Sequence, residues 1–452
     1  MITQSKIQNL KSKIPQGVYV LWLVWASAYG GGFLLGCATS PAATAFAEPV
    51  MRKLEISGKL IQELAVRIDA PRRLTKLRQQ LWLTERSKLT DYLSVRSTQR
   101  ARYDAVYALS NDFSRPARSD QQWDVELHET YLDYSNGPLD VRLGRQQIVW
   151  GESVGLFFAD VVNAKDLREY VLPDFDVIRT PQWAADVEFS HEPWHLEAVW
   201  LPFLEFNKLG VSGSEFAFPL PVPPGGASTL LDPSTPPGSF DNGEAGLRLS
   251  YLKNGWDVGA FFFHGWDRFP ALYRAIGPTG VFDFAPKYQR ENLVGGSFSK
   301  EVVDIVFKGE FVVNPHGHFV TFDPADHDGI VAKTYIDYVV GADRTFGTID
   351  IGVQFMQRVI AHHADLMEED ATRAHVSFWA KTSLWNGKVE PEFLLLSGVA
   401  EQDLLYRPKI TVKLGDRWQL RAGADIFQGR PSGVFGRFNH HSRAYTELSY
   451  HF

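Results

Sequence analysis

Cysteine is almost missing from this chain: one residue, Cys37, in 452. That excludes an intramolecular disulfide, a CxxCH haem attachment and a cysteine-based zinc site. Acidic residues are missing from the first 47 positions; the first is Glu48. Long apolar runs are missing after Ala47, so the body of the chain holds no transmembrane helix. A basic balance is missing as well. Lys and Arg number 46 against 53 Asp and Glu, for a net charge of −7. Nucleic-acid binding rests on clustered cations, and this balance argues against it. What the chain has is aromatic: 13% Phe, Trp and Tyr, with 13 Trp and 31 Phe. The hydrophobic fraction of 44% is enough for ordered structure, while a charged fraction of 22% is too high for a multi-span helical membrane protein.

The amino terminus reads as an export signal. Lys6, Lys11 and Lys13 precede an apolar stretch, Val18 to Gly36, and Ala45-Phe46-Ala47 is an A-x-A site. A signal peptide over 1–47 and a mature domain over 48–452 are expected. Two alternatives stay open. Leu34-Leu35-Gly36-Cys37 resembles a lipoprotein box that would acylate Cys37, and the stretch could remain as an uncleaved anchor. Cleavage removes three Lys and no acid, leaving 43 basic against 53 acidic residues and a net of −10.

The body alternates apolar and polar residues. Over 54–60, Leu54, Ile56, Gly58 and Leu60 share one face, and Glu55, Ser57 and Lys59 the other. Such runs are about 10–14 residues long, whereas a strand in a soluble protein averages about five or six and a tilted bilayer-crossing strand needs about 9–11. Eighteen strands are expected, from 54–69 to 440–452, including 91–108, 121–134, 138–149 and 303–313. Their connections alternate. Short turns include Ser135-Asn136-Gly137, Lys253-Asn254-Gly255, Asn386-Gly387 and Gly415-Asp416; long loops span 150–181, 203–242, 266–288 and 314–330. This is the pattern of a closed antiparallel transmembrane β-barrel, with short periplasmic turns, long extracellular loops and both termini periplasmic. Trp194, Trp256, Trp385 and Trp418 each lie beside a short turn, as a periplasmic aromatic girdle would.

In the hairpin 121–149, a turn centred on Gly137 would set Tyr131 opposite Leu143 and Glu129 opposite Arg145. Arg145 would then face lipid, at about 2–4 kcal/mol near the midplane. A bulge at Gly144 would turn Arg145 inward, to a carboxylate of the 150–181 loop, Glu152 first. The rival arrangement is a Glu129–Arg145 pair near the outer headgroups.

Residues 143–183 carry a GRQ-x-x-x-WGE run (Gly144, Arg145, Gln146, Trp150, Gly151, Glu152) and a D-x-x-N-x-x-DL loop (Asp160, Asn163, Asp166, Leu167). The segment resembles an uncharacterised family of proteobacterial outer-membrane barrels, porin-like in pattern, and 91–108 resembles it too. The resemblance implies a bacterial outer-membrane location. For some members it also implies movement of hydrophobic compounds or lipids beside an inner-membrane efflux pump. The strand closing on Phe452 resembles the signal read by the barrel-assembly machinery, and outer-membrane lipid is the other expected partner. No cofactor and no metal is expected.

Function then turns on the 150–181 loop. Asn163 can cap a short helix that Pro173 stops. Arg145, Gln146, Trp150, Glu152, Asp160, Asp166, Arg168, Glu169, Asp174, Asp176 and Arg179 are candidates for a pore constriction, since charges lining a pore set its selectivity. The alternative is a solvated extracellular cap. The expected function is a channel for small or amphipathic organic compounds, with the outer step of an export route for lipids or hydrophobes as one form of it. Gly151-Glu152-Ser153-Val154-Gly155 also matches a nucleophile elbow, which would make a barrel-borne lipase or esterase using Ser153, but parallel-sheet and long-helix patterns are missing. A closed structural or adhesin barrel shares the fold. His316, His318, Asp323, Asp326, His327 and Asp328 offer metal-type ligands in no defined spacing, and an acidic surface loop is the default.

Overall fold

The computed structural model describes residues 54–151, 153, 158–218, 228–276 and 282–452. The expected signal segment with Cys37, and Glu152, lie outside the described residues.

Alternation becomes a wall of eighteen strands: β1 (Leu54–Arg67), β2 (Arg73–Lys88), β3 (Leu93–Asp104), β4 (Trp123–Asn136), β5 (Leu139–Gln146), β6 (Gln182–His191), β7 (Trp194–Leu201), β8 (Glu244–Lys253), β9 (Trp256–Trp266), β10 (Arg290–Val302), β11 (Ile305–Val320), β12 (Ile330–Phe346), β13 (Ile349–Ile360), β14 (Thr372–Thr382), β15 (Val389–Gly398), β16 (Leu404–Leu414), β17 (Trp418–Gln428) and β18 (Arg443–His451). Each pairs antiparallel with its sequence neighbour. The last returns to the first, from Lys59↔His451 to Arg67↔Arg443, and closes the barrel. In hydrocarbon each unsatisfied backbone group costs several kcal/mol, and closure leaves no edge unpaired.

Side chains sort by parity. On β1, Leu54, Ile56, Leu60 and Leu64 are exposed outside, where lipid replaces water. On β2, Lys76, Arg78, Gln80 and Trp82 are buried inside. Short turns such as 137–138, 192–193, 254–255 and 303–304 occupy one end, and the long connections 147–181, 202–243 and 267–289 the other. Both ends of the described wall are at the short-turn end. Trp194, Trp256, Trp385 and Trp418 are all exposed there, as the girdle requires. No described helix is long and apolar enough to cross a membrane.

The structure corrects several expectations. The β4–β5 hairpin turns on two residues, Gly137 and Pro138, so Asn136 pairs with Leu139, Tyr131 with Gly144 and Thr130 with Arg145. That is one residue away from the expected register, and such a slip exchanges faces. The pairing runs through Gly144 without a register shift, although Gly144 takes φ +138. The bulge lies instead in β4 at His128, where the pairing steps from Thr98↔Glu129 to Gln99↔Leu127. Beyond it Glu129 meets Arg96 at 3.4 Å instead of Arg145. Strand β3 ends at Asp104, and a short helix, α1 (Val106–Leu109), follows; α2 (Arg115–Gln121) starts on Ser114, whose hydroxyl accepts from Ala117 N. Strand β11 runs to Val320, so His316 and His318 are strand residues and the loop proper is 321–329.

Candidate functional site

The loop after β5 turns into the barrel. Asn163 does not cap a helix. Its amide clasps the backbone of Ile148, accepting from Ile148 N at 3.1 Å and donating to Ile148 O. Residues Ala164–Leu167 are extended and form a small inner sheet with Arg179–Thr180 and, in parallel, with Lys208–Leu209 of the next loop. Among the described residues of this loop, one short helix, α3 (Phe175–Ile178), follows Pro173 instead of preceding it. Two loops thus insert together, an element that alternation does not encode.

Two apolar clusters fasten this insert. Ile148, Trp150, Ala159 and Val162 pack on Val199, Phe261, Phe263 and Leu293 of the wall. Val171 and Leu172 pack on Met356, Leu396, Leu405 and Phe427 from the opposite side. The insert therefore crosses the barrel interior, and the solvated-cap alternative does not describe it.

The candidate residues fall into distinct places. Trp150 is buried, its Nε1 donating to Glu197 Oε1 at 2.9 Å. Gln146 is buried and donates to Arg142 O and Ala184 O. Arg145 is only 8% exposed, but its partner is Glu205 of the 202–243 loop, with Nη2–Oε2 at 3.1 Å. The expected partner, Glu152, is outside the described residues. Asp160 receives Arg179 Nε at 2.7 Å. Of these, Trp150 ties the insert to the wall, Arg145 holds the 202–243 loop, Gln146 bonds wall strands, and Asp160–Arg179 is a bond within the insert.

The remaining candidates line a cavity of about 140 Å³ between the insert and the wall of β1, β2 and β16–β18. Asp166 accepts from Arg168 at 2.8 and 2.6 Å and from Arg102 at 3.1 Å. Arg168 also reaches Asp124 at 2.6 Å. Glu169 contacts Lys76, Arg78 and Arg443, the last at 3.2 Å. Asp174 lies 3.1 Å from Arg421 and 3.9 Å from Lys409. Asp176 lines the same space, and its carbonyl accepts from Gln147. Burial works to raise the carboxyls of Asp166 and Glu169, but Arg168 and Arg102, and Arg78, Lys76 and Arg443, outweigh it and hold both well below the usual range. Lys165 is held down by burial, despite Asp160.

Sequence reasoning missed the wall side of this site. Lys76, Arg78, Arg407, Lys409, Arg421 and Arg443 all line the cavity. Their signal was present as charges at every second position, Lys76-x-Arg78 and Arg407-x-Lys409, on the polar face of alternating strands. The second loop was missed too. Glu215 takes a bidentate pair from Arg67 at 2.7 and 2.8 Å and a third bond from Arg73, tying that loop to β1 and β2. Ser153 is buried and follows a strand of an antiparallel wall, not the parallel sheet that a nucleophile elbow needs.

Comparisons with solved structures agree with the wall. OccAB1 of Acinetobacter baumannii superposes with a TM-score of 0.54 at 10% identity, over 88% of this chain and 96% of that one. OccK3 (OpdO) of Pseudomonas aeruginosa gives 0.54 at 9% identity over 91% and 99%. OpdK of Pseudomonas aeruginosa, crystallised with vanillate, gives 0.51 at 9% over 89% and 99%. At such identity the likeness is one of fold: this is an outer-membrane porin fold, and its apolar outer face places it in the bacterial outer membrane. No curated protein sequence matches the chain. Residues 77–452 match the model of DUF1302, a family described as proteins of unknown function, and the chain belongs to that family.

Proposed function

We propose that the protein is a porin-like channel for small or amphipathic organic compounds. The observation that supports this reading is the insert. It crosses the barrel and leaves a cavity of about 140 Å³ with a mixed lining: Lys59, Glu63 and Arg421 beside Ile61, Leu172 and Val177. For scale, a cavity of about 150 Å³ accepts benzene. OpdK, which shares the fold, was crystallised with vanillate, so one-ring compounds are the first probes to try here. Cations of the wall face carboxylates of the insert, so the ion selectivity of the resting channel is expected to be weak.

Purified protein in planar bilayers tests the reading. Discrete conductance steps with a small reversal potential in a salt gradient are expected. A closed trace with ester cleavage would favour the esterase using Ser153. A closed trace without cleavage would favour a structural barrel.

A further inference from the structure

Glu169 of the insert engages three cations of the wall. Its Oε2 lies 3.2 Å from Arg443 Nη1 and within contact of Lys76 Nζ, while Oε1 meets Arg78. The wall cations are themselves paired. Lys76 reaches Glu63 at 3.1 Å, Arg78 reaches Asp104 at 3.3 Å, and Arg407 and Arg443 share Asp425 at 2.8 Å each. The wall part of this cluster therefore holds four cations and three carboxylates. Glu169 is the fourth carboxylate and brings the cluster to balance. It also differs from the others in origin, since it comes from the insert and they come from the wall strands.

The backbone fits this role. Tyr170 takes φ +57, a left-handed conformation that a bulky residue adopts only where its surroundings impose it. Its hydroxyl donates to Val434 O at 3.0 Å, and Arg407 holds the carbonyls of Val171 and Leu172. The turn is thus fixed beyond Glu169, and only the Glu169 side chain has to rotate to vacate the cations. Those cations border the cavity.

We propose that Lys76, Arg78 and Arg443 form a carboxylate-binding site for the channel's solutes, occupied at rest by the chain's own Glu169. A small organic acid would replace it one for one at the three cations, with its apolar part in the cavity and the displaced Glu169 carboxylate left facing that cavity. Three cations with fixed geometry suit a carboxylate, and burial strengthens the pairing while excluding uncharged analogues. Glu169 acts as a tethered competitor, and so an acid binds weakly until the competitor is removed. The site deepens the channel reading and rests on it for its role, but its occupancy can be measured separately.

Benzoate is the probe and benzamide the neutral control. Two readouts are taken on the folded, detergent-solubilised mature chain: calorimetric binding, and block of current in planar bilayers. Relative to wild type, Glu169→Gln should bind benzoate at least about tenfold more tightly, as removal of a tethered competitor predicts. It should shift the reversal potential toward anions and leave benzamide unchanged. Adding Arg443→Gln to that variant should abolish the gain. If Glu169→Gln does not fold, Glu169→Asp keeps the charge, shortens its reach and should give a smaller gain of the same sign. Conductance with unchanged benzoate affinity, or equal gain for benzamide, would overturn the site and leave the channel standing. Tighter benzoate binding without conductance would overturn the channel and leave the site.

Discussion

Trp150 and Glu197 join the insert to the wall: the indole Nε1 donates to Glu197 Oε1 at 2.9 Å, and both side chains are buried. The ring also packs against Phe261 and Phe263, with centroids at 5.3 and 6.1 Å. One residue thus supplies both apolar area and a polar bond on the side of the insert away from the cavity.

Replacing it should release that end. Trp150→Ala removes the ring and should weaken the anchorage by about 3–5 kcal/mol. Trp150→Phe keeps most of the packing but removes the hydrogen bond to Glu197, at about 1–3 kcal/mol. Limited proteolysis of the folded barrel checks the order. Cleavage within 147–181 should be fastest for Trp150→Ala, intermediate for Trp150→Phe and slowest for wild type. Equal rates would show that the insert is held elsewhere.

Asp267 gives a pH dependence. It sits just beyond β9, and burial pushes its carboxyl up to about 6 from an ordinary 3.8, with Phe269 N, Arg358 and Arg268 opposing and Glu369 adding to the rise. A raised carboxyl takes up its proton more readily in the folded state. Its contribution to stability is complete below about pH 3.8 and is lost as pH rises through about 6. Asp267→Asn keeps the acceptor for Phe269 N, now at 2.8 Å, and removes the titration. The variant should therefore be more heat-resistant than wild type at pH 8 and nearly equal to it at pH 4. The temperature at which the folded gel band converts to the unfolded one reports this.

Gly144 and Gly137 separate two demands on glycine. A Cβ at Gly144 would lie 2.2 Å from Thr130 O and 2.7 Å from Tyr131 Cα, at φ +138. At Gly137, φ is +60 and nothing lies within 4 Å. Gly137→Ala should cost about 1 kcal/mol, the backbone penalty alone. Gly144→Ala meets backbone atoms that cannot step aside, and it should cost more than about 3 kcal/mol or prevent assembly of the hairpin. Urea unfolding of the two variants in the same lipid checks the ranking.

Phe452 closes the seam. Its amide and carbonyl exchange bonds with Gly58 at 3.0 and 2.9 Å, and its ring lies over Gly58, where an added Cβ would come 2.5 Å from Cζ. Deleting Phe452 should lower the amount of heat-modifiable barrel in the outer membrane. Gly58→Leu should do the same with Phe452 intact, because it displaces the ring. Normal assembly of the deletion would show that the terminal residue is dispensable.

The sequence by itself determined the wall. Side chains of a strand alternate with period two, and each of the eighteen runs sits between a lipid-like and an aqueous phase, so local pattern alone marks strand, face and number. Loop length marked the two ends, and the four tryptophans marked the short-turn rim. Register was less secure. The difference between a two-residue and a three-residue turn at Gly137 moved Arg145 from Glu129 to Thr130, and the extra residue at His128 left no trace in the alternation. The interior was decided by tertiary structure alone. Glu169 and Arg443 are 274 positions apart, Arg145 and Glu205 are 60 apart, and the inner sheet joins Asp166 to Lys208. Charge pairing inside a closed barrel depends on which strands face each other across the lumen and on where an inserted loop crosses it. Neither is a local property, so the carboxylates of the loop were legible as candidates, while their partners were not.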